Sequence, residues 1–326
     1  MTAPPNNGMN LRALRAARYP ARLIEAAPRV SGRRSYREMS WTTMTAETWM
    51  TPDQFDAEAF RNFERAVHDE IADGYRDFFT AVTQYAVDPL LDAAMDTSGA
   101  RVLDVATGPG IVAFRAAARG ASSAVGVDLA PEMVRLASAA YPSVEFREAD
   151  AEDLPLPDRS FDAVVSNFGI GHFPRPERAL AEFVRVARRG GGVAVSWWDV
   201  PARHRIMGVF FDAMSDAGAS PPPGIPAGPP MFRFSEEIEL SKLLRSAGLV
   251  DVIVRAFSFS HRLASPDELW NGILHGTVRT SIGIRRQPEA VQARIRAVFD
   301  RLVQACIVEG GISVPVAFKV ASGRRP

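Results

Sequence analysis

The sequence predicts an α/β chain built on a doubly wound parallel sheet, with a helical cap before the sheet and lid insertions after its fifth strand. Three observations carry that expectation. Short apolar runs alternate with helical patterns from Arg101 onward, a glycine-rich turn follows the first run at once, and acidic residues close or follow the next two.

The elements follow in order. Between Met1 and Arg37 there are eight arginines and one acid, Glu25, a bias shared with transit peptides. Pro4, Pro5, Pro20 and Pro28 interrupt any helix there. Residues 1–45 are therefore expected to form a disordered extension, or to precede a true start at Met39 or Met44. Residues 46–98 form the cap, because Phe55, Phe60, Phe63, Val67, Ile71 and Phe78 recur at roughly helical spacing. Residues 99–326 form the ligand-binding domain. Its strands are expected at Arg101–Val105, Ala124–Val127, Val144–Phe146, Phe161–Ser166 and Val193–Trp197, then at Val250–Phe259 and Ile312–Val320. An alanine-rich helix ends at Gly120, Pro131 opens the next as a favourable first-turn residue, and a third spans Pro176–Arg189 before three glycines. Ser235 is read as the N-cap of a later helix, with Glu236 and Glu237 in its first turn. Insertions fall at about 200–235 and 262–310; the proline- and glycine-rich stretch Pro221–Pro230 suits a mobile cover.

Composition narrows the partners. Formal net charge is zero, so no basic field favours nucleic acid or anionic lipid. No apolar run approaches the length of a membrane span, and the single cysteine, Cys306, excludes an internal disulfide framework and a cysteine zinc cluster. Cys306 is read as core filler on an apolar helical stretch. A cytoplasmic protein is expected, with room for a homodimer, no nucleic acid, no membrane insertion and no metal.

Asp104-Val105-Ala106-Thr107-Gly108-Pro109-Gly110 sits where a strand turns into a helix. Glycine belongs there because a Cβ obstructs both the tight turn and close approach of a ligand. Asp128, ending the second strand, suits two ribose hydroxyls, as it would in a nicotinamide enzyme. Asp104, just before the loop, separates the cases: a carboxylate there repels a pyrophosphate and suits an ammonium group. Asp150-Ala151-Glu152 follows the third strand, where an acid can accept from an adenine amine, and Phe161-Asp162 leads into the fourth. Each residue alone has a plainer use: Asp128 and Asp150 as N-caps, Asp104 as a turn staple, Met133 as core.

In this order the motifs resemble those of class I methyltransferases that use S-adenosylmethionine (SAM), nearest to the subgroup of ubiquinone and menaquinone biosynthesis. The resemblance covers about Ala72 to Leu249. It implies a seven-stranded Rossmann-like sheet, six strands parallel and the last antiparallel. It places Ala106, Thr107, Gly108 and Gly110 at the methionine end of SAM, with Asp104 toward its ammonium and Tyr75 closing over its carboxylate. Asp128 then meets the ribose, Leu129 and Met133 flank the adenine, and Asp150, Ala151 and Glu152 lie at its edge. Asn167 and Phe168 stand near the reactive methyl. Ala106 departs from the family's usual first glycine.

Methyl transfer needs alignment and, for a hydroxyl or acidic carbon, removal of a proton. His172 is the best-placed base, although a loop-fixing role is its plainer use; His204, His261 and His275 are weaker candidates. Specificity for an apolar acceptor of polyketide, quinone or terpenoid-like kind is expected from Trp41, Trp49, Phe55, Trp197, Trp198, Met207, Phe210, Phe211, Met231, Phe232, Phe234 and Trp270. Packing beneath a lid is the plainer use for most of these. The competing readings are a SAM-fold enzyme of non-methylating chemistry such as cyclisation, a nicotinamide oxidoreductase, and a non-catalytic SAM-binding subunit.

Overall fold

The side chain of Asp56 accepts from the backbone of Glu58 and Ala59 and so starts helix α1 (Ala57–Gly74). The computed structural model describes residues 55–221 and 224–326; the expected N-terminal extension with its alternative starts, Trp41, Trp49, Pro222 and Pro223 lie outside the described residues. Phe60, Glu64, Val67 and Ile71 form the buried stripe of α1, at the helical spacing of one face. The helical path continues through a π-helical turn (Tyr75–Phe79), α2 (Thr80–Thr83), a 3₁₀ turn (Gln84–Ala86) and α3 (Val87–Ala94). A π turn inside a helix shifts the side chains that follow to a new face, and here it presents Tyr75.

Five parallel strands form the first part of the sheet: β1 (Arg101–Val105), β2 (Ser123–Asp128), β3 (Glu145–Glu148), β4 (Phe161–Asn167) and β5 (Ala187–Trp198). The connecting helices are α4 (Ile111–Ala118), α5 (Pro131–Ala140) and α6 (Pro176–Val186). Beyond β5 come α7 (Arg205–Asp216), α8 (Glu237–Ser246) and β6 (Val250–Leu263). After these lie α9 (Pro266–Gly276), α10 (Arg279–Arg285), α11 (Glu289–Val303), β7 (Ile307–Val308) and β8 (Gly311–Arg324). The sheet order is β3-β2-β1-β4-β5-β8-β6, with β8 antiparallel to both β5 and β6. Six strands therefore run one way and the long last strand runs against them, as the resemblance implies. The two-residue β7 folding back on β8 is an eighth strand absent from that expectation. Chain order reverses at β1 and β4, whose carboxyl ends open the crevice where ligands bind in such sheets.

Two sequence-level boundaries shift. The third helix ends at Val186, not Arg189. Ala187 already pairs with Phe161, and Arg325 holds the glycines in the ladder, donating its N–H to Gly191 and accepting that of Gly190. Ser235 does not cap α8: Glu236 holds that position, and Ser235 is buried in a 3₁₀ turn. Cys306 likewise sits half-buried in a 3₁₀ turn rather than inside a helix. Among the described residues no helix is long and apolar enough to cross a membrane.

Candidate active site

The turn after β1 is left-handed at Ala106 (φ 56°), Gly108 (φ 52°) and Gly110 (φ 90°). Glycine is required at Gly110, where a Cβ would stand 2.7 Å from the Phe146 ring. At Gly108 the space a Cβ would fill is open, with no atom within 4 Å. Asp104 holds the turn from beneath. Its carboxylate is fully buried, and Oδ2 accepts from Thr107 Oγ1 at 2.5 Å and from the Ala113 amide at 3.2 Å. Burial pushes its carboxyl up to about 7, against those two hydrogen bonds. Asp128 closes the turn from the end of β2, accepting from the amides of Gly108 (2.8 Å) and Ala130 (3.0 Å). Burial raises its carboxyl above the ordinary range as well.

Above this turn lies a recess of about 620 Å³, open to solvent. Nine sequence-expected residues share its wall: Tyr75, Ala106, Gly108, Asp128, Leu129, Met133, Asn167, Phe168 and His172. The other expected residues do not line it. Asp104 and Thr107 are buried beneath it, joined by their side-chain hydrogen bond, and Gly110 faces Phe146. Asp150 is held by Arg61 of α1 at 2.7 Å, and buried Glu152 pairs with Arg61 (2.8 Å) and Arg175 (2.9 Å). Ala151 is packed in the core. The donor set suits SAM: a glycine cradle without side chain, an orphaned Asp104 Oδ1 beneath it, and a carboxylate at the end of β2.

A second recess, of about 590 Å³, adjoins the first and is walled by Trp197, Trp198, Met207 and Met231, with Ile71, Phe79 and the segment Gly276–Thr280. Tyr75, Phe168, His68 and His172 belong to both walls. Phe168 stacks on Trp198 with ring centroids 3.7 Å apart and is itself left-handed, φ 58°, a strain that clusters at functional sites. The remaining described aromatics named from the sequence pack elsewhere: Phe210 and Trp270 pack tilted against Phe299, Phe211 meets Phe232, Phe234 is fully buried, and Phe55 lies against Phe60. His204, His261 and His275 line neither recess.

Sequence reasoning missed Glu64, His68 and Arg279. Glu64 is 3% exposed, and its Oε2 lies 2.9 Å from His172 Nδ1. Its other oxygen faces Arg279 Nε at 3.2 Å, while the same guanidinium donates to the carbonyls of Pro229 (3.1 Å) and Gly171 (2.9 Å). Pro229 and the preceding Gly228, packed on Phe60, tie the expected cover to α1 and α10. Burial opposes the charge on Glu64, but His172, Arg279 and His68 outweigh it and hold the carboxyl at about 2. Burial also lowers His172 below the ordinary imidazole value, against the pull of Glu64. Glu64, His68 and His172 bring their ligand atoms within 4.8 Å of one another; the permanent charge of Arg279 on Glu64 works against a divalent cation there. One sequence signal existed, a glutamate on the otherwise apolar stripe of α1 with a histidine one turn later.

A family model described as a methyltransferase domain matches residues 103–195. An uncharacterised protein of Mycobacterium tuberculosis (strain ATCC 25618 / H37Rv) is 34% identical over 200 residues, 58% of this chain and 70% of the relative. The demethylmenaquinone methyltransferase of Chlorobaculum tepidum is 36% identical over 140 residues, 40% of this chain; the chain spans 57% of that relative's length. A solved structure described as a methyltransferase from an antibiotic biosynthesis pathway of Anabaena variabilis is 19% identical. It superposes with a TM-score of 0.52 over 73% of this chain and 96% of that one, a likeness of fold.

Proposed function

The chain belongs to the class I SAM-dependent methyltransferases, and on that premise we propose that it transfers a methyl group to an oxygen or carbon of a small, largely apolar metabolite of polyketide, quinone or terpenoid-like kind. The observation that carries this reading is the pair of recesses meeting at Tyr75, Phe168, His68 and His172. One has the turn and the carboxylate; the other is faced by indoles and thioethers. Relatives named as demethylmenaquinone methyltransferases, 36–40% identical over the shared region, support an apolar acceptor.

SAM, when bound, supplies an electrophilic methyl on a sulfonium. The Ala106–Gly108 backbone is assigned to its methionine end, Asp128 to the ribose, and Leu129 and Met133 to the adenine. Asp104 acts from below by fixing the turn. Asn167 donates to the Thr83 carbonyl (3.2 Å) and accepts from Ser196 Oγ (2.6 Å), which holds the end of β4 rigid where the two recesses meet. The cap (46–98) and the insertions at about 200–235 and 262–310 are assigned to the acceptor: Ile71 and Phe79 come from the first, Met207 and Met231 from the second, and Gly276–Thr280 from the third.

Calorimetric titration of cofactor-stripped protein with SAM, S-adenosylhomocysteine (SAH) and NADH tests the reading. SAM and SAH are expected to bind saturably and NADH not at all. Asp128→Ala should weaken SAM binding by about 10- to 100-fold, the worth of hydrogen bonds to a charged group. Binding of NADH alone, or of none of the three, overturns the proposal.

A further inference from the structure

Glu64 and His172 come from elements 108 residues apart, and their contact has a defined hydrogen direction. An ionised carboxylate only accepts, so the hydrogen between Glu64 Oε2 and His172 Nδ1 belongs to the imidazole. Nε2 therefore carries the lone pair. It has no hydrogen-bond partner among the described residues, and the His172 side chain, one-third exposed, lies on the wall shared by both recesses.

The surroundings keep Glu64 ionised and His172 neutral. Arg279 is locked by three acceptors on separate pieces of chain, Glu64, Gly171 and Pro229, and it cannot lose its charge. His68 stands edge-on to His172 with ring centroids 4.9 Å apart, and its own Nδ1 faces the Glu64 carbonyl at 2.8 Å. The charged and titratable groups facing His172 are thus Glu64 and His68 from α1, Arg279 at the start of α10, and Asp128 at the end of β2.

We propose that Glu64 and His172 form a carboxylate–imidazole pair that takes the proton from a phenolic or enolic hydroxyl of the acceptor, His172 receiving it and Glu64 positioning His172. This rests on the methyl-transfer reading. The hydroxyl proton passes to Nε2 as the acceptor's oxygen, or the carbon conjugated with it, forms its bond to the transferred methyl. The carbon–sulfur bond breaks, its electron pair stays on sulfur, and the imidazolium, faced by Glu64, later releases the proton to water. Phenols lose a proton near pH 10, within reach of an imidazole, whereas aliphatic alcohols do not. The indoles of Trp197 and Trp198 suit the ring such an acceptor brings.

The test uses the full chain saturated with SAH and 4-nitrophenol as the probe. The bound phenol should absorb as phenolate below its free pKa, and His172→Asn should abolish that shift while SAH binding stays within a few-fold. With any phenol turned over, kcat/KM should fall on the acid side as His172 is protonated. His172→Asn should lose this acid limb and about 100-fold or more in rate. Glu64→Gln removes the anion that raises His172, so its acid limb should move to lower pH and kcat should fall tenfold or more with KM little changed; Glu64→Asp should recover part of the rate. A probe bound only as the neutral phenol, no shift at all, or turnover in His172→Asn within a few-fold of wild type overturns the pair. Failure of the wild type to bind SAM and SAH overturns the family-level reading instead.

Discussion

A methyl group added at Gly108 would meet no protein atom within 4 Å, so the space it fills belongs to the ligand, while the left-handed backbone alone acts on the fold. Gly108→Ala is expected to cost about 1–2 kcal/mol of stability, the penalty for alanine in a left-handed conformation, while weakening SAM by more than tenfold. Denaturation beside calorimetry separates the two, and a stability loss with SAM binding unchanged would place the residue in the fold alone. Ala106, already left-handed at φ 56°, shows that the turn accepts a Cβ where space allows. At this scale the turn and Asp128 were legible because their pattern is local. The position of Asp104 beneath the turn matches its plainer use, a staple. Glu64 and Arg279, 215 residues apart, leave no local pattern; their pairing exists only once α1 and α10 are packed together.

Helix α1 covers the first recess, and Arg61 is its outer fastening, reaching Asp150 and Glu152 at 2.7 and 2.8 Å. Glu152 keeps Arg175 when Arg61 is removed, so the loss is partial, about 1 kcal/mol once solvent screening of the partly exposed Asp150 pair is counted. Arg61→Ala is therefore expected to speed amide exchange across residues 57–74 by about fivefold, leaving β1, β4 and β5 unchanged. Uniform loss of protection through the sheet would show that Arg61 supports the whole fold. The elements themselves were legible from apolar periodicity, and their edges less so. Val186 ends α6 because Ala187 and the following glycines find partners in β4 and in Arg325, which no window of local sequence contains.

Across the whole molecule, Lys319 of β8 donates to Asp199 after β5 and to the Ser235 carbonyl before α8, 2.6 Å away. Both charged partners are buried. Lys319→Met leaves Asp199 with Arg203 at 3.2 Å and the Val200 amide at 2.8 Å, so the loss is partial and should be about 1–3 kcal/mol by chemical denaturation. The double variant Lys319→Met, Asp199→Leu should regain most of that; an equally unstable double variant would mean the loss is one of shape. The doubly wound sheet followed from the alternation of strands and helices and the antiparallel run of the last strand from the resemblance, whereas the place of β8 between β5 and β6 followed from neither. The cation that pins this arrangement gave no sign in the sequence, since a lysine in a long strand reads as an outward-facing residue until its neighbours are known.

The Trp198 ring lies between Phe168 (3.7 Å) and His204 (4.2 Å), and Trp197 donates its indole N–H to the Met231 carbonyl beside it. Both indoles face the second recess. The protein thus carries its own fluorophores at the acceptor wall, where emission colour and intensity respond to a ligand seated against the indoles. Unlabelled protein is in that sense an optical sensor for its own acceptor, one in which candidate compounds compete for light before any of them is asked to react.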